Sequence, residues 1–244
     1  MLRPGSFHQG TSQLFRGDCM CFSATASFSA AVVLIPVGVY CVKKTLDLNS
    51  NYWTFAILPL VFGIQQIFEG LVWLEFDPGG GGATRLPALG FMFFSHVFWL
   101  FWIPFACYAV EPSAIKKKFF IIAAFIGAAH GLIMYIPLWF NNDWLIVSIL
   151  KHSIEYKAAL LYDEYIPRIV VRVFYGLIVV IPLLFSSDRY IKIFGVIIMF
   201  SVAIATVFYG YAFISVWCYF AAILSLYIIF MVNKTKLKEN NAFP

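Results

Sequence analysis

FGIQQIFEGLVWLEF, residues 62–76, is apolar enough to belong in a lipid bilayer, yet it places Gln65, Gln66 and Glu69 within five residues of one another. Hydrocarbon solvates neither an amide nor a carboxylate, so a membrane helix carrying them must turn them toward other protein. On a helix of about 3.6 residues per turn, Gln65, Glu69 and Trp73 follow i, i+4, i+8 spacing, with Gln66 three before Glu69; all four fall within an arc of about 100°. The stretch therefore predicts one helix of a bundle, with its polar face looking inward.

The rest of the chain agrees with a bundle in lipid. Its 244 residues are 62% hydrophobic and only 12% charged, and the mean hydropathy is +0.85. Soluble domains carry about a quarter charged residues. The net charge of +5 comes from short basic clusters between apolar runs. That is the pattern of loops flanking spans, and it argues against nucleic acid as a partner. The five cysteines (Cys19, Cys21, Cys41, Cys107 and Cys218) are an odd count lying in or beside apolar runs, which argues against a disulfide framework.

A helix needs about 20 apolar residues to cross. Segments near Ala24–Val42, Trp53–Leu74, Ala88–Ala109, Phe119–Phe140, Ile169–Phe185, Ile191–Tyr209 and Tyr211–Val232 qualify. The last two form one apolar run that would reach about 60 Å as a single helix, twice the hydrocarbon thickness. It must fold back, and Gly210 is the best place to turn. The fifth span is the least secure, because Arg172 intrudes near its start. Prolines 36, 59, 104, 137 and 182 fall inside five spans and are expected to bend them.

The reading is thus an all-α membrane protein, a seven-transmembrane-helix bundle. Residues 1–19 read as a polar N-terminal extension before Met20, residues 20–233 as the membrane domain, and residues 234–244 as a basic cytoplasmic tail. Lys43, Lys44, Lys116, Lys117, Lys118, Arg189 and Lys192 gather on one side, which places the N-terminus outside and the C-terminus in the cytoplasm. Residues 77–87 form a glycine-rich outer loop. Residues 141–167 are too polar to cross and rich in β-formers, and predict a hairpin with strands around Leu145–Leu150 and Ser153–Leu161.

Depth then sorts the polar residues. Given that orientation, Glu69 lies about 8 Å below the outer boundary, Gln65 about 13 Å, His96 about 12 Å and His130 about 15 Å, at 1.5 Å per residue. Ser27, Ser95, Tyr135, Ser215, Trp217 and Cys218 fall on the same side, and no comparable buried set appears toward the other end. Gln65, Gln66, Glu69, Trp73, His96 and His130 are therefore the candidate ligand-binding residues of an outward-facing polar cavity. His152, Glu155 and Tyr156 of the outer loop are candidates to close it. The plainer alternative is that these groups only hold helices together by hydrogen bonding.

Two imidazoles and a carboxylate also make Glu69, His96 and His130 a candidate metal set for Zn²⁺ or Fe²⁺ with an open position. No local motif supports it: H-E-x-x-H is absent, and no two of the histidines share a span.

MCFSATASF (20–28), GIQQIFEGLVW (63–73), HVFWLFWIPFACYAVEP (96–112) and SVWC (215–218) together resemble an uncharacterised family of small, mostly bacterial multispan membrane proteins. The resemblance is most specific at Gln66, Glu69 and Trp73. It implies a multi-pass protein of a cell membrane, expected to be the bacterial inner membrane, but attaches no activity. Where similar sequences carry histidine at the position of Gln65, this chain has glutamine, which weakens the metal reading.

The functional expectation is an integral membrane protein that binds, senses or passes a small ligand, proton or metal ion. One alternative is a metal-dependent enzyme embedded in the membrane and acting on a lipid-like substrate. Another is a structural subunit of a membrane complex. Membrane lipid is the expected surrounding partner.

Overall fold

A computed structural model describes residues 23–48, 50–76, 85–150 and 153–240. The tail before residue 23, with Cys19 and Cys21, most of the glycine-rich loop, and His152 lie outside the described residues. Among the described residues, seven helices are long and apolar enough to cross a membrane: Ala24–Asp47, Trp53–Glu75, Arg85–Val110, Ala114–Phe140, Arg168–Phe185, Arg189–Phe208 and Gly210–Lys234. By length and composition this is a multi-pass membrane protein. Its surface supports that reading. Val32 is 73% exposed and Phe125 65%, whereas Glu69 is 2%. Apolar outside and charged inside inverts the pattern of a soluble domain.

The expected spans are present, and several extend further than the apolar runs alone suggested. The fourth begins at Ala114 rather than near Phe119, taking in Lys116, Lys117 and Lys118 as its first turns. Long basic side chains at a span end reach the interface, so the helix continues past the apolar stretch. The chain turns back between the sixth and seventh spans at Gly210, which opens a short 3₁₀ turn, Gly210–Ala212.

The prolines act as expected in part. Four of them, Pro36, Pro104, Pro137 and Pro182, lie within continuous helices. Pro59 instead sits in the first turn of Leu58–Glu75, after a break that separates it from the short helix Trp53–Ala56. A proline costs nothing there, because first-turn amides have no helical partner.

Close helix contacts are made where side chains vanish. A Cβ at Gly38 would overlap the Leu60 backbone, and one at Gly131 would overlap the His96 carbonyl oxygen. Small residues at such crossings let membrane helices approach and pack by dispersion. The second contact seats the fourth span directly against the third at the level of His96 and His130.

The predicted hairpin is present. Strand β1, Leu145–Leu150, pairs antiparallel with β2, Ser153–Ala158, with Val147 opposite Tyr156 and Leu150 opposite Ser153. The second strand stops at Ala158, three residues short of expectation, and Ala159 donates its N–H to the Trp144 carbonyl at 2.8 Å. Ser153, Ile154, Tyr156 and Ala158 are buried. Tyr156 stacks on Phe91 of the third span, with ring centroids 4.8 Å apart. The hairpin is thus a cap over one end of the bundle, here called the hairpin end.

The opposite end corrects the expectation of no buried polar set there. Glu111, between the third and fourth spans, is buried. It accepts from the Ser187 amide at 2.8 Å, the Ser187 hydroxyl at 2.6 Å and the Ser113 amide at 3.3 Å. Asp188 caps the sixth span through the amides of Tyr190 and Ile191, and also accepts the Tyr52 hydroxyl at 2.6 Å. Three inter-helix connections are therefore tied together by two carboxylates.

Burial alone would raise the Glu111 carboxyl, but the Ser187 and Ser113 hydrogen bonds and the nearby Lys116 charge outweigh it and hold the group below its ordinary value. Because the unfolded chain then binds more protons, this contribution is complete above the ordinary carboxylate value and is lost as pH falls through the depressed one. A Glu111→Gln protein should therefore melt below wild type near pH 7, and the two curves should converge in acid. Parallel curves across the acid range would show that the carboxylate is not the stabilising form.

Candidate functional site

The second span turns its polar face inward, as the spacing requires. Gln65 and Gln66 are fully buried. One Glu69 oxygen accepts the Gln66 side-chain amide at 2.9 Å, and the other accepts the hydroxyl of Ser215 on the seventh span. The Gln65 carbonyl accepts the Trp99 indole N–H of the third span at 2.7 Å. Its amide nitrogen makes no hydrogen bond, nor does the Gln66 side-chain oxygen. Helices two, three and seven are thus joined by hydrogen bonds at the level where hydrocarbon offers no competing water.

The third span departs from α geometry at its polar residues. Phe94–Phe98 forms a π turn, with the Trp99 amide bonding to the Phe94 carbonyl. One residue is added to the turn, so the side chains after it rotate relative to those before it, and such turns often mark functional sites. Ser95 and His96 lie on it. The Ser95 hydroxyl is 3.1 Å from His96 Nδ1. The Tyr175 hydroxyl of the fifth span donates to the Ser95 carbonyl at 2.5 Å.

Beside this turn lies a cavity of about 100 Å³. Its walls come from the third, fourth, fifth and seventh spans and from the hairpin: His96, Met134, Arg172 and Tyr175, Trp217 and Cys218, and Tyr156. Tyr175 and Trp217 meet edge to face, 5.2 Å between centroids. The Trp217 indole N–H and the Tyr156 hydroxyl are buried without any hydrogen-bond partner. Each such group costs about 1–3 kcal/mol. Burial first, then the Glu69 and Cys218 charges, push the Tyr156 phenol well above its usual value. It remains a protonated donor.

Of the six residues singled out in the sequence, only His96 lines this cavity. Gln65, Gln66 and Glu69 form the neighbouring cluster, joined to it through the seventh span, where Ser215 bonds Glu69 and Cys218 lines the cavity. Trp73 is buried in a packing cluster with Leu89, Met92 and Tyr156. His130 is half-buried, edge-on to Phe174 at 5.0 Å and stacked toward Tyr162 at 6.2 Å, with its Nε2 unpartnered. Of the loop candidates, Glu155 pairs with Ser148 and Lys157 along the hairpin, and Tyr156 reaches the cavity.

The proposed metal set is corrected. Among the described residues, no group of three or more His, Cys, Asp or Glu side chains is placed to hold a metal ion. Glu69 spends its two oxygens on Gln66 and Ser215, His96 sits beside the Ser95 hydroxyl, and His130 lies among aromatic rings.

Two cavity residues were read differently in the sequence. Arg172, taken as a blemish in the fifth span, is a wall of the cavity. Tyr175, one turn from Val171 on the same face, lines it as well and was not singled out in the sequence. The available signal was an arginine inside an apolar span, which by its cost marks a functional position.

A family model described as "Family of unknown function (DUF6629)" matches residues 20–242. The chain belongs to that family. Among curated proteins and solved structures, nothing matches it. The family match spans both the Glu69 cluster and the cavity wall.

The Glu69–Ser215 bond makes a separable claim about stability. Ser215→Ala should lower the unfolding free energy in detergent by about 1–3 kcal/mol, because it strands a buried carboxylate oxygen. Ser225→Ala, whose hydroxyl only bonds back to the Ala222 carbonyl of its own helix, should cost under about 0.5 kcal/mol. Equal effects would mean that the interhelical bond contributes nothing special.

Proposed function

We propose that the protein binds a small ligand in the cavity beneath the hairpin, in the service of sensing or passage rather than catalysis. The observation that carries this is a pair of buried, unpartnered donors, Trp217 Nε1 and Tyr156 OH, on two residues that line one cavity. Unpartnered buried groups occur elsewhere in the bundle, Gln65 Nε2 and Gln66 Oε1 among them; these two are set apart because their residues share one cavity, where a ligand acceptor can meet them. Glu69 beside them has both oxygens bonded and serves in the scaffold that holds the second, third and seventh spans.

Orientation follows the same reading. Lys43, Lys44, Lys116, Lys117, Lys118, Arg189 and Lys192 all flank the end opposite the hairpin, which favours that end as cytoplasmic. The cavity then opens outward, with the hairpin as its roof and the N-terminus outside. Ser95 and His96 line the cavity with hydroxyl and Nδ1 3.1 Å apart, but among the described residues no carboxylate lines it to orient the imidazole, so binding is the more economical reading.

Native mass spectrometry of the full chain released from nanodiscs tests it. Wild type should carry one small-molecule adduct per chain. Ala158→Phe, which fills the cavity from the hairpin, should lose the adduct while keeping its melting temperature within a few degrees. An unliganded wild type, or an adduct indifferent to the filled cavity, would sink the proposal.

A further inference from the structure

The cavity's charged and unpartnered polar groups are donors; of its other polar side chains, Ser95 and His96 already meet each other at 3.1 Å. An indole N–H only donates, and a guanidinium carries donors and no acceptor. The Tyr156 phenol is protonated and unpartnered. Arg172 lies in the wall with its guanidinium 5.4 Å from the centre of the Phe213 ring. Among the described residues it makes no hydrogen bond or ion pair. Its neighbour Arg168 is already engaged, bonding Asp163 at 2.8 Å and the Ala158 carbonyl at 3.0 Å. Among the described residues no aspartate or glutamate lines the cavity; Glu69 lies outside it with both oxygens occupied. The walls thus present one uncompensated positive charge and two unanswered neutral donors.

Resting on the ligand-binding reading above, we propose that this cavity holds an oxyanion, a phosphate or carboxylate group, with Arg172 as its charge partner and Trp217 Nε1 and Tyr156 OH as its neutral donors. Arginine suits the role, because its planar fork matches both groups and its charge survives partial burial. Phe213, which also lines the cavity, holds the guanidinium through a cation–π contact that uses none of its N–H donors.

Two sources could supply such a group: a free anion from the aqueous side, or the headgroup of an anionic lipid. A second, smaller cavity favours the lipid. It shares Tyr175, Trp217 and Cys218 with the first and continues along wholly apolar walls, including Phe62, Leu183 and Ile198. Head and tail sites would then meet at the Tyr175–Trp217 pair.

The full chain in phosphatidylcholine nanodiscs, titrated with inorganic phosphate and separately with acetate, forms one arm. Phosphatidylglycerol in place of part of the phosphatidylcholine forms the other. Binding is read by native mass spectrometry and by thermal shift, in wild type, Arg172→Gln, Arg172→Lys and Trp217→Phe. Wild type should bind in at least one arm, and which arm responds identifies the source. Arg172→Gln should weaken binding by about tenfold or more, the equivalent of losing one charge-assisted hydrogen bond. Arg172→Lys should lose less, keeping charge without the fork, and Trp217→Phe should lose several-fold. Equal binding by Arg172→Gln and wild type would overturn the assignment. So would a co-purified neutral molecule retained by Arg172→Gln, which leaves the ligand-binding reading standing. A wild type empty of every small molecule would end both.

Discussion

A carboxylate buried in a membrane bundle has to be solvated by the protein itself, and the Glu69–Ser215 hydrogen bond is how this chain meets that requirement. Its partners lie 146 residues apart, so the bond is made only when the second and seventh spans lie side by side. Breaking it returns no hydration, because water is not at hand. The Gln65–Trp99 bond fixes the third span against the second by the same logic. Most membrane helix pairs rely on dispersion between similar surfaces and tolerate small slips. Directional bonds to a charged group do not, and they set the register of helices two, three and seven at the level of the cavity.

Within that frame the two neighbouring polar groups differ in what surrounds them. The Glu69 carboxyl has both oxygens bonded inside the protein, and the unpartnered Gln65 Nε2 and Gln66 Oε1 beside it belong to residues outside the cavity walls. Trp217 Nε1 and Tyr156 OH are unpartnered too, but on residues that line the cavity. An unmet group stores a cost that an incoming partner removes only where there is room for one. Access, more than satisfaction, separates site from scaffold here. It also explains why the most conspicuous residues of the sequence, the QQxxE face, turn out to support the cavity rather than line it.

What the sequence made legible follows from periodicity and solvent. The seven spans, the turn at Gly210, the inward face of residues 65–73 and the hairpin near Leu145–Leu150 all rest on local pattern. The partners of those faces do not. Nothing in SHVF announces a π turn at Phe94–Phe98, since it arises from how the third span packs against its neighbours, with Gly131 against the His96 carbonyl and Tyr175 donating to Ser95. Depth counting put Glu69, His96 and His130 at one level, but depth is one coordinate of three, and the partners each side chain meets around its helix are set by packing. Glu111 was passed over for a related reason: a carboxylate in a connection looks solvated until another connection, carrying Ser187, folds over it.

Arg172 shows how a cost can be read in two ways. As a span residue it lowers the hydropathy of the fifth helix; as a wall residue it is a charge with no ion-pair partner among the described residues. The seventh span then links the two polar groups mechanically. Ser215, Trp217 and Cys218 occupy one helical turn, with Ser215 fixed by Glu69 and the other two forming the boundary between the polar and apolar cavities. A turn of helix moves as a unit, so a rotation that re-aims the Trp217 indole also pulls on the Ser215 hydroxyl. The cavity wall and the bond that holds the second and seventh spans in register therefore lie on the same turn of helix, and scaffold and cavity are mechanically continuous.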